Sequence, residues 1–124
     1  MIMPVFQVAL GGALGAVLRF GTVTATLRLF GPGFPLGVLT VNVVGSVLMG
    51  IAAIYVFERN DAIGPFVMTG LLGGFTTFSA FSLDAVALFE RGQPGGAGLY
   101  VLLSVALSIA GLAMGTLLGR AIWA

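Results

Sequence analysis

The chain has 124 residues, of which 59% are hydrophobic and 7% charged, and its mean hydropathy is +1.17. Such a composition lies far outside the range of a soluble globular domain and marks an integral membrane protein, with room for about four spans of roughly 20 residues and no separate soluble domain. Without cysteine or histidine the chain can build no disulfide, thiolate nucleophile, imidazole metal ligand or Ser-His-Asp triad.

The opening Met1-Ile2-Met3-Pro4 has no basic n-region, and the apolar run behind it is longer than a signal-peptide core. That run is therefore expected to stay, as a first span over residues 4–27. Gly11 and Gly15 stand in a GxxxG spacing, with Gly12 beside them, which lets a neighbouring helix approach closely. Arg19 is the one charge in this span. A guanidinium within a span costs at least about 2.5 kcal/mol on the lenient insertion scale, so it is either a paired or functional group or an end residue that snorkels toward the interface.

A second span covers 36–57 without a charge, and its most polar side chain is Asn42. Helical geometry puts Asn42, Gly45, Ser46 and Met49 on one face. The Asn42 amide needs partners in a hydrocarbon setting, either on another helix or on a dehydrated anion that accepts from its NH2 group. Glu58-Arg59-Asn60-Asp61 then forms a charged, water-facing turn.

The third span, 64–89, holds the most unusual stretch of the chain, Gly73-Gly74-Phe75-Thr76-Thr77-Phe78-Ser79-Ala80-Phe81. Two adjacent glycines followed by two threonines whose hydroxyls compete for carbonyls predict a broken helix near the middle of the span. Broken backbone survives in lipid only where it is buried in protein, binds an ion or lines a wet cavity, so the stretch is a candidate site. Phe78 and Phe81, three residues apart, share a helical side. They are either ordinary packing residues or rings whose positive edges face a polar path. Gly70 and Gly74 form a further close-packing pair, and Asp84 lies near the far end of the span.

Glu90 to Gly96 reads as a loop, and the fourth span covers 97–119 with no charge. Tyr100, Ser104 and Ser108 recur every four residues and run on into Gly111 and Gly115. This stripe either packs and back-bonds along its helix or lines an ion path with hydroxyls that rotate to suit the ion.

With an even number of spans, Arg59 and Arg120 fall on one side of the membrane and Arg28 and Arg91 on the other. A balanced count predicts insertion in both orientations, because arginine and lysine bias sets orientation. Mixed orientations permit an antiparallel dimer, and polar faces on several short helices argue for assembly with a second copy.

On these residues the chain resembles the bacterial fluoride channel family usually called Fluc or CrcB. The resemblance spans all four helices and rests on Gly-Ala-Val-Leu-Arg ending at Arg19, on Thr40-Val41-Asn42, on the Gly73 to Phe81 stretch, and on Tyr100, Ser104 and Ser108. It implies an all-α membrane protein of four transmembrane helices per subunit, working as an antiparallel, dual-topology homodimer that exports fluoride across the bacterial inner membrane and relieves fluoride toxicity. It further implies a fluoride pathway through Asn42, Phe78, Phe81, Tyr100, Ser104 and Ser108, with Arg19 and Asp84 at a vestibule. A structural sodium ion would be held by backbone carbonyls of Gly73 and Thr76. Ala80 and Leu112 depart from the family's pattern of hydroxyls.

Fluoride also suits these residues on physical grounds. Its tight hydration shell is replaced by several donors, supplied by hydroxyls and an amide, while weak multiple contacts let the ion leave. Sodium prefers oxygen ligands, which carbonyls at a helix break provide. Two other readings stand beside this one. A small four-span proton-coupled exporter needs a deep titratable carboxylate, which the first two spans lack and Asp84 offers only toward an end. A non-conducting assembly subunit would suit the glycine-rich helices but leaves the broken stretch without a purpose.

Overall fold

A computed structural model describes residues 2–123 as an all-helical bundle. Four segments are long and apolar enough to cross a membrane: Ile2–Phe30, Leu36–Arg59, Pro65–Glu90 and Pro94–Trp123. We label the helices α1 (Ile2–Phe30), α2 (Leu36–Arg59), α3 (Gly73–Phe75), α4 (Phe78–Glu90) and α5 (Pro94–Trp123), with a π-helical segment, Pro65–Leu72, leading into α3. The third span is thus the π-helical segment, α3 and α4 in series.

The helix ends follow local chemistry. Gly31 (φ +79°) ends α1 and Gly92 (φ +77°) ends the turn after α4, both in the left-handed conformation that glycine adopts without steric cost. Asn60 takes the same conformation after α2, and its N–H bonds to Val56 O. The charged turn beyond it is ordered rather than merely solvated. Asp61 accepts from Tyr55 Oη at 3.2 Å and from the Ile63 N–H at 3.0 Å, and the Arg59 guanidinium lies over the Tyr55 ring.

The helices run past the expected spans at several ends. The difference is widest at α5, which runs from Pro94 to Trp123 rather than from near Ala97 to Gly119. Proline is at home in a first helical turn, where no N–H is required of it, and the Ala97 N–H already bonds to Gln93 O at 2.9 Å. Nothing in the residues of Pro65–Leu72 distinguishes their wide winding from an α-helix.

Packing divides the bundle into two pairs. α1 lies against the π-helical segment and α3, while α2 lies along α5. Glycines make both contacts possible. A Cβ on Gly11 would stand 2.8 Å from Leu71 N, one on Gly74 2.8 Å from Gly12 O, and one on Gly50 2.8 Å from Thr116 N. These separations are far below ordinary contact distances, so the helices meet backbone to backbone. Gly115 of α5 meets the α2 backbone in this way, and Gly111 and Gly119 face the side chains of Val47 and Ile54 on α2.

At its break the third span changes neighbours. Its first half packs on α1, and α4 beyond the break packs on α5. A small core forms where α4, α5 and the start of α2 meet, from Val38, Phe81, Leu88, Ala97 and Tyr100. Most other large apolar side chains, among them Phe6, Leu29 and Ile109, are exposed on the outside of the bundle, where lipid is their solvent.

Candidate functional site: a helix break beside a polar groove

The break falls at Thr76 and Thr77, both in extended conformation (φ −86°, ψ 159° and φ −155°, ψ 120°). The two glycines before it are helical, Gly73 with φ −64° and ψ −36°. The break expected from Gly73-Gly74 and Thr76-Thr77 together falls on the threonines alone. Gly73 and Gly74 remain in the helix, Gly74 serving close approach to α1, and the threonines carry the extended backbone.

Three side chains hold this conformation. Asn42 of α2 pairs with the peptide units of Thr77: its Nδ2 donates to Thr77 O at 3.0 Å, and its Oδ1 accepts from the Thr77 N–H at 2.7 Å. Thr77 in turn caps α4, its Oγ1 accepting from the Ala80 N–H at 3.2 Å. Arg19 of α1 donates from Nε to Gly74 O at 3.1 Å. Groups freed from the helical ladder thereby find partners, as lipid requires.

These bonds decide which carbonyls remain. In a continuous helix the Thr77 N–H would point to Gly73 O and the Ala80 N–H to Thr76 O, four residues back. Here both N–H groups are taken by side chains, Asn42 and Thr77, so the carbonyls of Gly73 and Thr76 lose their helical donors. Gly74 O is occupied by Arg19. Phe75 O likewise has no bond from the Ser79 N–H, and released backbone oxygens in an apolar setting, Gly73 O and Thr76 O among them, are the donor type a hard monovalent cation such as sodium takes.

On the side of the break that faces α2 and α5 lies a groove of about 440 Å³. Asn42, Ser46, Thr77, Ser104 and Ser108 supply its polar groups, and Phe78 and Phe81 its rings. Ser104 is 5% exposed, and its Oγ has no hydrogen-bond partner among the described residues. An unpaired buried hydroxyl is costly, so its place on a groove wall is where a ligand would repay it. Phe78 is 77% exposed, and Ile109 and Leu112 on the opposite wall are exposed too, which leaves the groove open on the flank of the single chain.

Tyr100 does not line this groove. It is fully buried and donates from Oη to Asp84 Oδ2 at 3.2 Å. Its ring is the third in a series of four, with centroid separations of 5.4 Å from Phe78 to Phe81, 5.3 Å from Phe81 to Tyr100 and 5.5 Å from Tyr100 to Phe34. The series leads from the groove to a second cavity of about 340 Å³ near the α1–α2 turn, lined by Phe34, Asp84 and Arg91 among others. Asp84 therefore lines this second cavity, whereas Arg19 is bound to the break on another element, and the two do not share a site.

Some residues of the site escaped the sequence reading. Thr77 was noted only as a competitor for carbonyls, although a threonine opening a helical run is a recognisable cap. Phe34 gave no signal, because its role depends on the chain folding back onto Tyr100. Gln7, an amide within the first span, donates to Ala62 O at 3.2 Å and ties α1 to the loop after α2.

A bundle of four apolar spans, one of them broken beside a donor-lined groove, defines a small multi-pass membrane protein with an intramembrane polar site. The chain belongs to the CrcB family: the family model described as "CrcB-like protein, Camphor Resistance (CrcB)" matches residues 6–116. It is 60% identical over 115 residues to a protein of Cereibacter sphaeroides named fluoride-specific ion channel FluC, with 93% of each chain covered. Relatives of the same name from Ruegeria sp. and Rhizobium etli are 54% and 50% identical, covering 98% and 94% of this chain and 98% and 96% of their own.

Proposed function

We propose that the protein is a fluoride-selective channel that lets the anion leave the cell and works as an antiparallel homodimer. The groove carries this reading. It brings together an amide, three serines and the rings of two phenylalanines with no cationic side chain among its lining residues, a set of weak donors that can replace fluoride's hydration without trapping it. In this reading Asn42, Ser104 and Ser108 donate to the ion and Phe78 and Phe81 line its path. Tyr100 acts from behind Phe81, and Asp84 stands at the vestibule. Arg19 acts on the break itself. The name borne by the relatives supports the choice of fluoride.

The groove's open flank and the two-against-two distribution of Arg59 and Arg120 against Arg28 and Arg91 favour closure by a second, inverted copy. Gly73 is exposed and Thr76 half-buried, so the released carbonyls of two facing breaks are available to share one sodium ion between subunits. A proton-coupled exporter is less well supported, because Asp84, the acid farthest from a span end, is engaged by Tyr100 outside the groove.

Efflux from liposomes holding only the purified protein tests the function. Fluoride efflux that is electrogenic, exceeds chloride efflux and ignores a proton gradient is expected; proton-driven or absent flux would refute it. C-terminal tags accessible from both sides of the membrane are expected of the inverted dimer, and tags confined to one side would exclude it.

A further inference from the structure

We infer that Asn42 is the positioning residue that keeps the cation site open, by taking the Thr77 N–H that would otherwise close onto the Gly73 carbonyl. The inference rests on the sodium reading proposed above and gives one side chain a duty on the cation side of the break as well as in the groove.

The geometry is specific. Thr77 N lies 2.7 Å from Asn42 Oδ1, and Asn42 Nδ2 lies 3.0 Å from Thr77 O, so the amide is bonded at both ends to one residue. Turning the amide over would set donor against donor and acceptor against acceptor, so its orientation is fixed by the pair. Nδ2 keeps a second N–H, and Asn42 lines the groove. The same fixed amide that can offer a proton to an anion thus also withholds the Thr77 N–H from Gly73 O. Thr76, whose carbonyl is also released, packs its side chain beside Gly45 on the next turn of α2.

Removing the acceptor forces a choice on Thr77. Its N–H either stays unsatisfied inside the bilayer, which is costly, or returns to the helical partner Gly73 O and consumes that carbonyl. Return is the cheaper outcome. Asn42→Ala therefore damages the cation site, whereas Asn42→Asp retains an oxygen for the Thr77 N–H while losing the donors that serve the groove. A residue acting only on the anion would leave the response to sodium unchanged in both variants.

The test is thermal unfolding of the purified, detergent-solubilised protein in mixtures of sodium and potassium chloride at constant ionic strength. The parent is expected to unfold at a higher temperature as sodium replaces potassium, since a ligand of the folded state stabilises it. Asn42→Ala should need about tenfold more sodium for the same rise, while Asn42→Asp and the groove variant Ser108→Ala stay within roughly threefold of the parent. A parent indifferent to sodium would overturn the sodium reading and the inference with it. A responsive parent whose Asn42→Ala variant responds at the same concentrations would overturn the inference alone. Should the alanine variant not fold, Asn42→Asp decides: a response retained supports the inference, and a response lost overturns it.

Discussion

Arg19 on α1 donates from Nε to the carbonyl of Gly74, the last glycine before the third span breaks. One N–H of an intramembrane arginine is thus taken by backbone instead of by a carboxylate, and it holds the break from α1 while Asn42 holds it from α2. The same contact explains why α1 must come so near: Gly74 faces Gly12 and Ala16 with no room for a side chain between them.

Arg19→Met removes that donor and leaves Gly74 O without a partner. A hydrogen bond from a charged group contributes about 1.5–3 kcal/mol, and a loss of stability of that order is expected in chemical or thermal unfolding of the purified protein. A change below ~0.5 kcal/mol would mean that Arg19 reaches water in the membrane and does not bind the break.

The glycines of α1 should behave differently from one another despite their shared spacing. A Cβ on Gly15 would lie 2.8 Å from Phe75 N, whereas one on Gly12 meets nothing within 4 Å. Gly15→Ala is expected to lower stability by about 1–3 kcal/mol through overpacking, and Gly12→Ala to be neutral or to raise it by up to ~1 kcal/mol through helix propensity. Equal effects in unfolding experiments would contradict the packing described.

Phe78→Ile and Phe81→Ile keep apolar bulk but remove the ring edges, and both should depress fluoride flux in liposomes. Their effects on folding should part. Phe81 is buried between Phe78 and Tyr100, and losing two ring contacts costs about 1–3 kcal/mol, while the exposed Phe78 loses one. Parental flux in both variants would reduce the rings to packing.

Ser104→Ala separates stability from flux in the opposite sense. Its Oγ is buried with no hydrogen bond within geometric limits among the described residues, so the methyl group should leave the fold unchanged or slightly more stable. Fluoride flux should fall about fivefold, the ratio that corresponds to ~1 kcal/mol in one hydrogen bond. A less stable protein with full flux would show that the hydroxyl has a structural partner and no role in the groove.

Composition and hydropathy alone determined that this chain crosses the membrane four times, since only runs of about 20 apolar residues satisfy backbone and lipid together. The position of the third-span break, the close-packing character of Gly11 and Gly15 and of Gly70 and Gly74, and the common face of Asn42, Gly45 and Ser46 were also legible, because helical period and small-residue spacing are local properties; that the two glycine pairs meet each other was not. What the fold alone decided is who meets whom across it. No spacing rule joins Asn42 to Thr77, Arg19 to Gly74 or Tyr100 to Asp84, for these bonds link residues on different helices whose rotation and depth are set by packing. The first two contacts occupy groups at the break, the third holds Tyr100 behind the groove instead of on its wall, and the packing of α5 on α2 splits its polar stripe into serines toward the groove and glycines toward α2.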